Sequence, residues 1–219
     1  MAPARRIGAE NSETRALLLD AAQQLMCEEG YAAVTSRRLA GRAGLKPQLV
    51  HYYFRTMDDL FLALFQRVAD AFLRRQEMPL DSRRPLKAIW DISNTAADAV
   101  LYIEFMALAN HRKALRAAIA EFGDSYRRRQ AERIGAILTA NGVDIGTWEP
   151  IMLATLMETV SRCLGFEALL GMTVGRDETL ATVHRTIDRL EGAPVQERKP
   201  RKAIGRRATE LPSKRRAMR

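Results

Sequence analysis

The residues with most scope for chemistry lie between Val34 and Leu60, in the stretch VTSRRLAGRAGLKPQLVHYYFRTMDDL. The Gln48 amide can pair bidentately with adenine, and the apolar Leu49 suits a thymine methyl. His51, Tyr52 and Thr35 are placed for phosphate oxygens, which fix a protein on a duplex without reading its sequence. Arg37 and Arg38 fall in the first turn of a short helix, where the macrodipole disfavours cations by about 0.3–1 kcal/mol. Beside a phosphate backbone the same placement becomes favourable. Lys46 and Arg55, one at each end of the following helix, extend the basic strip, and Ser36 and Pro47 are the first residues of the two helices.

These side chains need two short helices held at a fixed angle. Leu18, Ala21, Ala22, Leu25 and Met26 follow the three-and-four spacing of one buried face and predict a first helix from about Ser12 to Glu29, ended by Gly30. Thr35 is a good N-cap for a second helix over about 36–43, with Leu39, Ala40 and Ala43 inward. Gly44 supplies the turn, and Leu45 fills the gap between the helices. A third helix runs from Pro47, favourable at a first helical position, to about Phe54, with Val50, Tyr53 and Phe54 buried and Gln48, His51 and Tyr52 outward. Thr56 to Asp59 has the form of a capping box with Asp in place of Glu. It opens a fourth helix whose buried stripe is Phe61, Leu64, Phe65, Val68 and Phe72.

The stretch from Leu18 to Leu64 resembles the N-terminal domain of the TetR (tetracycline-repressor-like) family of bacterial transcriptional regulators. The features that carry it are Leu18-x-x-Ala21-Ala22, Glu29-Gly30-Tyr31, Thr35, Leu39-Ala40, Ala43-Gly44-Leu45, Tyr53-Phe54 and Asp59-Leu60. The chain departs from the family pattern at four places. Lys46 stands where Ser or Thr is usual and cannot cap the recognition helix, though it can pair with phosphate. His51 and Tyr52 stand where Tyr and His are common, and Met57 replaces a common Lys. The resemblance implies a homodimer that reads double-stranded DNA, with a helical body behind the reading domain that binds a small-molecule effector and dimerises.

Beyond Pro85 the spacing predicts five more helices, at about 86–110, 113–122, 125–141, 148–170 and 177–191. The expected fold is all-α, about nine helices in total. The expected organisation is a flexible arm over 1–11, a three-helix helix-turn-helix domain over 12–56, an effector-binding and dimerisation domain over 57–192, and a disordered basic tail over 193–219. Leu153, Leu156, Met157, Val160 and Leu164 share one helix face, and Leu180, Val183, Ile187 and Leu190 another. Two such helices from each subunit could form a four-helix interface. Pocket candidates are Trp90, Asn94, Tyr102, Phe105, Met106, Tyr126, Met152 and Phe166. With Met157 and Met172, the methionines among them suit an adaptable, apolar cavity. Glu158 and Arg162 read as an intrahelical ion pair, with a ligand or dimer contact as the alternative. Glu104 is an isolated acid in an apolar stretch.

The net charge of +9 is misleading as a guide to the folded body. Ala193 to Arg219 holds ten Lys/Arg against two Asp/Glu, which leaves +1 for residues 1–192. Nucleic-acid binding must therefore rest on local pattern, although the tail could add nonspecific affinity through counterion release. No apolar run approaches the ~20 residues of a membrane span, and the N-terminus lacks the apolar core of a signal peptide. Cys27 and Cys163 lack zinc-type spacing and read as buried helix residues of a reduced, cytoplasmic protein. His51, His111 and His184 lie in separate segments. There is no phosphate loop, nucleophile elbow or paired-acid motif. The expectation is a DNA-binding regulator, not an enzyme, with no cofactor or metal. The competing reading is a helical small-molecule- or partner-binding protein without specific DNA binding.

Overall fold

A computed structural model of the chain describes residues 12–77, 83–93 and 96–192. The expected arm (1–11), the expected tail (193–219) and the pocket candidate Asn94 lie outside the described residues. Among those described are nine α-helices, one 3-10 turn and no strand. They are α1 Glu13–Glu29, the 3-10 turn Tyr31–Ala33, α2 Ser36–Arg42, α3 Pro47–Tyr53 and α4 Met57–Glu77. There follow α5 Pro85–Ile92, α6 Ala96–Ala109, α7 Lys113–Ala140, α8 Pro150–Leu169 and α9 Arg176–Leu190.

The helix starts follow local chemistry. Ser12 Oγ accepts the Arg15 N–H at 3.2 Å, and Thr35 Oγ1 accepts that of Arg38 at 3.4 Å. The capping box closes reciprocally: Asp59 N–H donates to Thr56 Oγ1 at 3.1 Å and Thr56 N–H to Asp59 Oδ2 at 3.0 Å. Lys46 makes no side-chain cap, and α3 relies on Pro47 at its start. Cap chemistry also arrives from a distance. The Glu191 carboxylate, just past α9, accepts the Leu86 and Lys87 N–H groups of α5 at 2.7 and 3.2 Å.

Two helix boundaries differ from the sequence expectation. The segment expected over 86–110 is broken between α5 and α6. The Ser93 carbonyl accepts a bond from Ser161 Oγ of α8 at 2.7 Å, and the Ser93 hydroxyl turns back to the Ile89 carbonyl at 2.9 Å. Conversely, the two helices expected at 113–122 and 125–141 form one, α7, which runs through Gly123. Gly123 does not take a positive φ. Phe122 and Tyr126 stack across it (centroids 6.1 Å apart, 10° between planes) and meet Phe65 and Phe72 of α4 edge-on. That packing outweighs the roughly 1 kcal/mol that glycine costs in a helix.

The buried apolar residues form two cores. One joins α1–α4 to Leu101, Phe105 and Leu108 of α6 and Leu115 of α7. It does not stop at residue 56, so the reading helices share packing with the body behind them. The other joins α5, α7, α8 and α9 around Trp90, Leu138 and Leu190. Arg67 of α4 clamps α1 by bonds to Asp20 at 2.7 Å and Gln23 at 3.0 Å.

Candidate functional site

The reading surface is built by α2, the turn and α3. Gly44 takes φ +67°, a conformation a side chain would strain, and the chain reverses so that Leu45 N–H reaches the Ala40 carbonyl at 2.8 Å. Val50 and Phe54, 1% and 3% exposed, lock α3 into the first core. Its other side faces outward: Lys46, Pro47, Gln48, His51, Tyr52 and Arg55 are exposed and Leu49 is half-buried. Thr35, Arg37 and Arg38 are exposed beside it, and Ser36 is half-buried.

The basic strip is more restrained than the sequence alone suggests. Arg38 is ion-paired with Glu29, and Arg42 pairs with Glu28 at 2.7 Å, both acids lying at the end of α1. The Arg42 bond holds the Glu28 carboxyl below the usual carboxylate range. Arg37, Lys46 and Arg55 form no ion pair among the described residues.

A second feature lies behind this surface. A cavity of about 320 Å³ opens between α4, α6, α7 and α8. Of the residues read as pocket candidates, Tyr102, Phe105, Met106 and Tyr126 line it. The sequence missed Phe65, Val68 and Phe72 of α4, which it assigned simply to a buried stripe, and Phe122, Arg127 and Ser161. Of the other pocket candidates, Trp90 is buried in the second core, where α5 packs on α7 and α9, and Met152 is exposed on α8. Phe166 lies behind the wall, stacked on Tyr102 with centroids 5.6 Å apart. Met157 is half-buried against the second core, and Met172 is exposed after α8.

Polar groups concentrate at one end of the cavity and behind its wall. At one end Glu158 bonds both Arg162, its neighbour one turn on, and Arg127 of α7 at 3.0 Å. The expected intrahelical pair is therefore present and also faces the cavity. Behind the wall, Gln130 donates to Gln76 at 3.3 Å and Gln76 to Ser93, which lines the cavity, at 3.2 Å. Gln130 Oε1 is buried there without a partner among the described residues. Burial pushes the nearby Tyr126 phenol above its ordinary range, so it stays neutral.

Glu104, on the α6 segment that also carries Tyr102, Phe105 and Met106, faces the reading domain. Its carboxylate accepts the Tyr31 N–H at 2.6 Å and lies against Gly30, where a Cβ would sit 3.5 Å from it. Gly30 itself has φ +81°. Cys27, one turn earlier, is exposed, as is Cys163, against the expectation of burial.

The dimer candidates divide. Leu153, Leu164, Ile187 and Leu190 are buried within the chain's own second core. Met157, Val160, Leu180 and Val183 are half-buried against it. Leu156 is exposed, along with Ile151 and Met152 on the same helix. Periodicity finds an apolar face but not which neighbour it meets, and here much of that face meets α5 and α7.

The short, outward-facing helix on an all-helical body defines a helix-turn-helix protein. Residues 18–64 match the family model described as "Bacterial regulatory proteins, tetR family". The fatty acid metabolism regulator protein of Bacillus subtilis (strain 168) is 26% identical over 70 residues, which are 32% of this chain and 36% of that protein's length. A transcriptional-regulator structure from Saccharomonospora viridis, in complex with choline, superposes with a TM-score of 0.69 at 20% identity, covering 80% of this chain and 96% of that one. A TetR transcription regulator from Haloarcula marismortui superposes with a TM-score of 0.66 at 21% identity, covering 84% and 98%. Residues 18–64 are thus a TetR-family N-terminal domain, and the chain has the fold of the TetR-family transcriptional regulators. No helix among the described residues is long and apolar enough to cross a membrane.

Proposed function

We propose that the protein is a cytoplasmic, ligand-responsive transcriptional repressor that binds a palindromic operator as a homodimer. The observation that carries this reading is the two-sidedness of α3. Val50 and Phe54 fix the helix to the core while Gln48, His51 and Tyr52 are exposed on the opposite face. In this reading Gln48 and Leu49 meet base edges in the major groove. Thr35, Ser36, Arg37, Lys46, Pro47, His51, Tyr52 and Arg55 meet the backbone. Arg38 joins them only to the extent that phosphate competes with Glu29.

The cavity is proposed as the effector site. A bound molecule would touch α4, whose start directly follows the reading helix, and α6, whose Glu104 holds Tyr31. A ligand that fits only one arrangement of these helices shifts the spacing of the two reading helices in the dimer, and DNA affinity changes with it. The exposed apolar strip of α8 (Ile151, Met152, Leu156) is proposed as the centre of the dimer contact.

Footprinting on the region beside the protein's own gene tests the reading; a symmetric protected site is expected, and its absence refutes it. Gln48→Ala should relax preference at one base position, a change of about 1–3 kcal/mol. Arg37→Ala should weaken all sequences alike and lower the salt slope by about one. Identical, sequence-independent effects of the two changes would overturn the assignment of roles.

A further inference from the structure

We infer that the cavity takes a small, largely apolar molecule bearing one anionic group, and that Arg127 and Arg162 receive the anion. The inference rests on the cavity being the effector site.

Most of the wall is hydrocarbon and aromatic, with Phe65, Phe72, Phe105, Met106 and Phe122 presenting no charge. Apart from Asp124, charge on the wall is confined to the end where α7 meets α8. There Glu158 Oε2 accepts Arg127 Nε at 3.0 Å and Glu158 Oε1 accepts Arg162 Nη2. Two guanidiniums share one carboxylate, so the cluster holds one unbalanced positive charge. Asp124 is the remaining charged residue on the wall. It is exposed and pairs with neither arginine.

The surplus is held partly out of bulk water. The side chains of Arg127, Arg162 and Glu158 are 34%, 28% and 16% exposed. A partly buried charge without full compensation is unfavourable, and a matching charge on a ligand removes that penalty. A guanidinium carries more N–H donors than these contacts use, in a planar fork that fits a carboxylate. Arg162 is also pre-positioned. It donates to Tyr102 Oη at 2.6 Å and lies 4.5 Å over that ring, which is itself stacked on Phe166. Little side-chain freedom remains to be lost on binding.

Aromatic rings can also cradle a cation, and a ligand ammonium is the competing occupant. Here it would enter beside an unbalanced positive charge, with the one acid of the cluster already held by two arginines. A neutral molecule would leave the surplus unmatched.

Calorimetric titration of the full chain with octanoate, octanol and octyltrimethylammonium, each below its micellar range, tests the inference directly. Octanoate should bind at least about tenfold tighter than the other two, the scale of one charge-assisted hydrogen-bonded contact. Arg162→Gln should remove that preference while leaving octanol unchanged, and Arg127→Gln serves the same purpose should Arg162→Gln fail to fold. Glu158→Gln enlarges the positive surplus and should tighten octanoate; a cation site would respond in the opposite sense. Equal affinity for the three probes, preference for octanol or the ammonium, or no heat with any of them overturns the inference. Operator binding by the unliganded protein is measured separately. Its failure would remove the regulatory reading and leave the calorimetric result to stand or fall alone.

Discussion

The Cys27 thiol is exposed, yet its pKa is pushed up, first by partial burial of the sulfur and then by the negative charges of Glu104 and Glu28. A raised pKa leaves less thiolate at neutral pH, so alkylation should be slow for a surface cysteine. Glu104→Gln removes one of those charges while its amide oxygen can still accept the Tyr31 N–H. The Cys27 pKa should fall and iodoacetamide labelling at pH 7.5 should quicken, because a larger share of the thiol is then ionised. Labelling of a Cys163→Ser background, followed by mass spectrometry, isolates the site. An unchanged rate would mean that Glu104 does not sit against the reading domain. At this scale the outward set Gln48, His51 and Tyr52 was legible because the helical period turns it away from the face that carries Val50 and Phe54. The pairing of Arg38 with Glu29 was not, because it depends on how the end of α1 meets α2, which no local spacing encodes.

Helix starts were legible for a similar reason: the Thr56–Asp59 box needs only residues three apart, and both of its bonds form. Thr56→Ala should lower stability by about 0.5–2 kcal/mol in urea unfolding, the usual range for loss of an N-cap. Helix interruptions were less legible. A glycine followed by Asp124 looks like a stop, but the ring stack of Phe122 and Tyr126 against α4 carries α7 through it. Gly123 has an ordinary helical conformation, and an added Cβ would meet nothing within 4 Å. Gly123→Ala should therefore stabilise the protein, by up to about 1 kcal/mol. Were Gly123 a left-handed helix end, the same change would destabilise it, so the sign of the shift in urea midpoint decides between one helix and two. The break after Ile92 has a converse origin. Ser161 of α8, distant in sequence, takes the carbonyl that a continuing helix would use.

Across the whole molecule, the two cores explain why apolar stripes named the wrong neighbours. Leu153 and Leu164 read as surface for a second subunit, but they close the core with Ile187 and Leu190. Cavity residues on α4 were hidden for the same reason, since a stripe that packs on α1 at Leu64 and opens onto empty space at Phe72 has one periodicity throughout. What the monomer leaves uncovered is the other side of α8, where Ile151, Met152 and Leu156 are 43%, 38% and 49% exposed. Apolar surface of this kind gains most by leaving water against a second copy, and a palindromic operator requires two reading heads joined. Leu156→Arg places a charge in the centre of that strip without touching either core. The variant should keep its helical signal and melting behaviour, yet sediment as a monomer where the parent is a dimer. Its affinity for a two-half-site operator should fall roughly 10²-fold or more, because the second head no longer binds at the effective concentration set by the first. Affinity for a single half-site should hardly change. A variant that remained dimeric, with operator binding intact, would move the subunit contact away from this face of α8.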